Sequence, residues 1–336
     1  MDLMSGSYSF EVLQKKYGNF LIPAAKLKIG GSNLLELTGV MVESIQITLS
    51  LKAAGCAYFY VTSGYDYKNG SFDSALKSKV VLGKEVSVEL GYGSSLVTVF
   101  KGFVAAVGTE FDVDTGVSYS ITAMDARRLM QTDNLRIIRY NVKHYSDAVS
   151  EVLKRYKKLC TPVVDATTEN LEGHPLAQSS SDYDFIVNKI IGEGKADREF
   201  FIVADKAYFR KPRGSSSPVV TLGVGSGLKS FQKNSIYLNE KIQVIGREEG
   251  TDKILVGEST AKAADQQVAA LSEPGIYQMA APDCHVQGEL KARAAALADR
   301  EKAKNQQASA VCVGIPEIVP GRYLKIERLD STVNRS

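Results

Sequence analysis

Over its first 130 or so residues the chain alternates between apolar and polar positions with a period of two. In Glu85-Val86-Ser87-Val88-Glu89-Leu90 the side chains switch at every step, placing Val86, Val88 and Leu90 on one face of a strand and leaving the other wet. A turn at Gly91-Tyr92-Gly93-Ser94 leads into residues 96–107, rich in β-branched and aromatic side chains. Residues 109–113 and Gly116 then lead into residues 117–123. The earlier segments 25–29, 42–51 and 57–61 have the same short, turn-punctuated character. Strands at this spacing predict a small barrel or sandwich.

From about Asn134 the period becomes helical. Ser146 is placed to cap a helix whose apolar positions are Val149, Val152, Leu153 and Tyr156 and whose end, Lys154 to Lys158, is basic, as the helix dipole favours. Ser181 and Asp184 form an S-x-x-D capping pattern ahead of Phe185, Ile186, Ile190 and Ile191, and Gly192 is placed to end that helix. Strands return at residues 199–203 and 207–210, flanking a tight turn at Ala204-Asp205-Lys206. The polar stretch 211–218, with its Gly, Ser and Pro, reads as a linker. Residues 219–222, 235–244, 253–256, 309–313 and 323–327 read as strands, interrupted by an Ala-rich helix over 288–304. Such a helix has high intrinsic propensity and a thin profile, so it can lie closely against a sheet or another subunit. The expected fold is mainly β with an α+β insert. A β domain at 1–133 precedes an α/β insert at 134–214 and a second β domain at 215–336.

Composition narrows the function more than the fold. With 336 residues, 44% of them hydrophobic, the chain has material for two or three cored domains. Its 41 Lys and Arg against 38 Asp and Glu leave a net charge of +3, which argues against disorder and against a polyanion-binding tail. Cys56, Cys160, Cys284 and Cys312 lie far apart with no CxxC pair, so reduced and mostly buried thiols are expected rather than a zinc site or a disulfide scaffold. The start MDLMSGSYSF lacks the basic and apolar stretches of a signal peptide, and no run reaches the roughly 18 apolar residues of a membrane span, so a soluble cytosolic chain is expected.

The motifs that could carry chemistry each have a structural explanation. Gly223-Val224-Gly225-Ser226-Gly227 comes after a strand, as a phosphate-binding loop does, but residues 228–238 have strand character where a helix N-terminus is needed. Cys284 beside His285 could suggest a nucleophile and its base, yet neighbours on a strand face opposite ways, and a buried thiol beside a surface imidazole fits better. His144 and His174 have no paired ligands and read as solvated or capping residues. Asp182 and Asp184 could be drawn as a glycosidase pair, but the capping pattern accounts for them. The basic runs Lys154 to Lys158 and Phe209 to Arg213 interleave aromatics, as some nucleic-acid surfaces do, against a weak net charge. No GxxxxGK[ST], HExxH or GxSxG occurs. No catalytic, cofactor-binding or metal residue is assigned, no enzyme is expected, and interface residues are left open.

A family resemblance lies in the order of segments. Gly102-Phe103-Val104 between strands, then Asp125-Ala126-Arg127-Arg128-Leu129, the helix at 144–158, Ser181-Asp182-Tyr183-Asp184-Phe185, Arg198 to Ile202 with Ala207 to Pro212, and Val319-Pro320-Gly321-Arg322-Tyr323-Leu324 together resemble the phage late control protein D group. That group of contractile-tail hub proteins is similar to the N-terminal hub part of the type VI secretion protein VgrG. The resemblance spans nearly the whole chain, although each motif alone is degenerate. It implies a non-enzymatic structural protein with two tube-like barrels and an α/β decoration. Three chains would form a pseudo-sixfold ring joining a hexameric tail tube to a trimeric spike. The partners it implies are the tube protein, a separate spike, baseplate wedge proteins and the tape-measure protein, with no stable nucleic-acid binding, no membrane insertion and no cofactor. The implied location is the baseplate of a virion, phage-like particle or tailocin assembled in a bacterial cytoplasm. The alternatives are the hub part of a type VI or extracellular injection system and a tail-tip cell-wall hydrolase. One departure stands out: the family pattern leads one to expect a closing hairpin after residues 323–328, where this sequence runs out at Ser331 to Ser336.

Overall fold

A computed structural model describes residues 3–114, 116–132, 135–212, 217–263 and 271–329. The predicted alternation at the start of the chain forms one seven-stranded antiparallel sheet. Its order is Ser32–Asn33, Pro23–Ile29, Glu85–Tyr92, Ser95–Asp112, Gly116–Met124, Cys56–Val61 and Val42–Thr48. Alternate residues fill its core: Val86 and Val88 from one strand, Ala57, Phe59 and Val61 from another, and Ile121 and Ala123 from a third. The 18-residue strand Ser95–Asp112 bends through two bulges, where pairing shifts between Val88 and Glu89 and between Val104 and Ala106. The first bulge lets the neighbours Val99 and Phe100 both face inward, which strict alternation forbids. No sheet closes on itself among the described residues.

Around residues 135–212 a second core gathers Tyr140, Val149, Val152, Phe185, Ile186, Ile190 and Phe209. Arg136–Tyr140 pairs antiparallel with Leu176–Ser180. The strand Lys206–Arg210 sits between Glu199–Val203, its hairpin partner, and Thr161–Val164, which runs parallel to it. The helix Tyr145–Leu153 begins one residue after His144 rather than after the expected cap Ser146. The Asp147 carboxylate accepts the His144 amide at 3.1 Å, while Ser146 is drawn inside, its amide donating to Thr167 Oγ1 at 3.1 Å. Ser181 does cap its helix, accepting the Asp184 amide at 3.1 Å, and Asp182–Asp184 continues as a π-helical run, Phe185–Gly192.

Beyond residue 217, Asn239–Arg247 lies between Ile254–Lys262, antiparallel, and Gly275–Ala280, parallel. The helix Gln287–Asn305 lies on this sheet through Leu290, Ala294 and Ala298. Gly257 is the reason it can lie so close: a methyl there would overlap the backbone carbonyl of Leu290. The expected strand over 235–244 is instead two strands, Leu228–Ser235 and Asn239–Arg247, because the first pairs with Gln306–Cys312 in a separate two-stranded ribbon. Val220–Gly223 runs parallel to Leu324–Glu327. The N-terminal segment joins this last part of the chain. Ser9 caps the helix Phe10–Lys16, whose Leu13 packs with Tyr17, Val219, Leu222, Ile315 and Ile326. The expected linker is described only at residues 211–212 and 217–218; residues 213–216 and the terminal 331–336 lie outside the described residues.

Candidate functional site

The structure disperses the chemical candidates. Gly223 and Ser226 close a turn, with the Ser226 amide donating to Gly223 O at 2.9 Å, and the chain then enters the strand Leu228–Ser235; no helix comes next to bind a phosphate. Cys284 and His285 sit in a loop, not on a strand. The Cys284 thiol is fully buried, contacts Val286 O at 3.7 Å and is pushed up to about 11 by burial, the wrong direction for a nucleophile. His285 turns to Arg247 O at 2.8 Å. Cys160 is pushed up by burial to about 12, and all four cysteines are free thiols. His144 is a helix cap and His174 closes a turn onto Leu171 O at 2.9 Å. Among the described residues no group of three or more His, Cys, Asp or Glu side chains could hold a metal ion.

Asp182 and Asp184 also separate in role. Asp182 is buried and saturated: Arg155 Nη1 donates at 2.6 Å, Gln178 Nε2 at 2.8 Å and Tyr156 OH at 2.8 Å, with Arg136 at 3.4 Å. Burial and the bond to Asp182 both push the Tyr156 phenol upward. Asp184 accepts from Asn188 one turn on, at 2.5 Å. A buried carboxylate held by two guanidiniums, an amide and a phenol is a structural anchor, with its oxygens already occupied.

Several of the segments that carried the resemblance, and the long helix near them, form polar joints between parts of the chain. Asp125 and Arg127 are both nearly inaccessible; Arg127 donates to Asp125 Oδ2 from Nη2 at 2.7 Å and from Nε at 3.1 Å. Their outer atoms hold the loop between Val42–Thr48 and Cys56–Val61: the Gly55 amide donates to Asp125 Oδ2 at 2.6 Å and Arg127 Nη1 donates to Ser50 O at 2.8 Å. Arg210 stacks 4.9 Å from the Phe201 ring, donates to Glu199 at 2.8 Å and donates also to Gly321 O. Arg322 donates to the carbonyls of Leu3, at 2.6 Å, and Ser5, at 2.9 Å. Arg300 donates to the carbonyls of Ile191 and Gly192, both at 3.0 Å, ending the π-helical run on the long helix. Beside it, Arg293 grips Asp283 through two contacts of 3.1 Å and Lys195 reaches the same carboxylate at 3.1 Å. Burial raises the Asp283 pKa, but the two cations outweigh it and hold the group at about 2.

Sequence reasoning missed one feature altogether, a cleft of about 960 Å³. One wall is the outermost strand, at Val42 to Ile45 and Ile47. The opposite wall is Pro23 to Ala25 and Leu90 to Tyr92, and residues 314–322 close one side. A signal existed in the apolar edge segments 42–49 and 23–25, but only their approach in space makes a cleft.

Comparison with known proteins places this geometry. Across 92% of this chain and 89% of the other, the fold matches a 43 kDa tail protein of prophage MuSo2 from Shewanella oneidensis, with a TM-score of 0.63 and 13% identity. A tail protein from Neisseria meningitidis matches over 91% and 86% of the two chains, with a TM-score of 0.61 and 10% identity. A prophage tail protein from Listeria monocytogenes matches over 89% and 82%, with a TM-score of 0.51 and 11% identity. At such identities the likeness establishes a shared fold. No curated protein sequence matches the chain. One family model does match, and its description names neither late control protein D nor VgrG. The chain belongs to the family described as the Alg8 N-terminal domain, whose model it matches over residues 21–334.

Proposed function

We propose that the chain is a structural baseplate hub protein of a contractile tail, in which three copies form a pseudo-sixfold ring between the hexameric tube and the trimeric spike. The observation that carries this reading is the near end-to-end sharing of fold with tail proteins, 92% of this chain against 89% of the Shewanella protein. A late control protein D type of hub, in a phage, phage-like particle or tailocin, is the form we favour, with the type VI and extracellular injection systems as the wider class. In this reading the units 1–133 and 215–336 act as the two barrel-like halves, with 134–214 outside the ring and residues 3–20 strapping across to the last unit. Ring assembly would bring open sheet edges other than those of the cleft, such as Gly275–Ala280, against neighbours, covering backbone that otherwise invites aggregation. Tube, spike, wedge and tape-measure proteins are the partners it requires, at a baseplate assembled in the bacterial cytoplasm.

A hydrolase reading has little geometric support. Its nucleophile would be the buried Cys284 and its acid Asp184, and these are held by unrelated contacts. The matching family's description names a domain and no reaction. Light scattering on the chain alone and with its spike tests the proposal: a complex with the mass of three chains plus one spike trimer is expected when the spike is present, and a strict monomer under both conditions refutes it. Peptidoglycan turnover lost on Cys284→Ala or Asp184→Asn would replace it with the hydrolase reading.

A further inference from the structure

The seven-stranded sheet ends on two strands that face a common gap. Among the described residues Val42–Thr48 pairs only with Cys56–Val61, and the partner of Pro23–Ile29 on its outer side, Ser32–Asn33, reaches only Lys28 and Ile29. Residues 23–25 and 42–47 therefore carry outer backbone groups with no ladder partner among the described residues. Both line the 960 Å³ cleft. Residues 314–322 pass along its side, yet no backbone hydrogen bond joins them to either edge among the described residues. A row of amide and carbonyl groups bordering an apolar hollow is half of a sheet, and an added strand is what completes it.

We propose that this cleft takes up one extended apolar segment of another protein, which adds as a strand along residues 42–47. The charges on its walls define the occupant. Among the lining residues only Glu43 and Arg322 are charged, and the Arg322 guanidinium already donates to the carbonyls of Leu3 and Ser5. A charge carried into the cleft would lose water and gain no partner, so the buried positions of the segment are uncharged. Glu43 is exposed at the bulge of the edge strand and favours a basic residue at the end of the segment that lies beside it. A second copy of this chain fits less well. Each described strand already pairs along one side, so a copy offers one edge, whereas a free segment offers two to a gap bordered by two open edges. The site is independent of whether the chain forms a ring.

The test uses the full chain and fluorescent eight-residue peptides of alternating Val and Thr with one terminal Lys, capped at both ends, read by anisotropy. A second set, N-methylated at alternate residues, keeps the side chains but removes backbone donors. Saturable binding that weakens at least tenfold on N-methylation is expected, with a severalfold loss on Glu43→Lys and at least a tenfold loss on Ile45→Asp. Equal binding of both peptide sets would reduce the cleft to an apolar sticky patch and overturn the proposal. Absence of binding by every peptide also overturns it, as does a cross-link from residue 44 to a second copy. Because these readouts come from the chain by itself, they stand or fall separately from the trimer measurement.

Discussion

The Asp125 and Arg127 pair offers a sharp test of what holds the first sheet together. Replacing Asp125 by Ala strands a guanidinium that is fully inaccessible and leaves the Gly55 amide without its acceptor. Breaking a buried pair from one side costs about 3–5 kcal/mol, because the remaining charge stays in a medium that cannot solvate it. Taking about 4 kcal/mol and the usual unfolding entropy per residue, melting should fall by about 6 °C if the 336 residues unfold together, and by more than twice that if the first sheet melts alone. Removing both charges with Asp125→Ala and Arg127→Met relieves the orphaned cation, so the double variant should be more stable than the sum of the singles predicts. A coupling of about 2–3 kcal/mol is expected at the upper end for residues in one network. Urea unfolding followed by circular dichroism on the four members of the cycle supplies the measurement. A coupling below about 0.5 kcal/mol, or a single-variant loss below about 1 kcal/mol, would refute the clasp as an energetic feature.

Other outcomes rest on the same contacts. Gly257→Val should destabilise by about 1–3 kcal/mol in urea, because the long helix must shift off the sheet, whereas the same change at the open Gly288 should cost far less. At pH 8, a disulfide reagent should leave Cys160 and Cys284 unmodified in the native chain and reach all four thiols in guanidinium, since burial raises the pKa of both. Asp283 has a folded-state pKa below its unfolded one. Its contribution to stability is therefore complete above about pH 4 and lost as pH falls toward about 2. Comparing wild type with Asp283→Asn across that window should show the slope shrinking in the variant, and an unchanged slope would count against the Arg293 and Lys195 grip.

Much of the secondary structure is legible because the periodicities are local. Val86, Val88 and Leu90 alternate whatever surrounds them, and Ser181 caps a helix by its own side chain. Legibility fails where a distant residue overrides a local preference. Ser146 is a good cap residue by type, but Thr167 draws it inward and His144 takes the helix end. Val99 and Phe100 break alternation because a bulge against Glu85–Tyr92 turns both inward. Cys284 and His285 take separate partners in a loop, where alternation along a strand is not the reason.

By itself the sequence determined the mainly β character, the helical insert, the Ala-rich helix thin enough to lie on a sheet, and the scarcity of groups that could do chemistry. These come from period, propensity and composition, which are properties of neighbours along the chain. Only the tertiary structure decided that residues 3–20 join the last part of the chain. It also decided that Arg210, Arg322 and Arg300 place their charges on carbonyls more than a hundred residues away, and that two strand edges border an apolar cleft. Those are long-range pairings: burial of apolar surface supplies the energy, and hydrogen bonds to distant carbonyls offset the cost of taking each charge out of water. No window of sequence contains both partners.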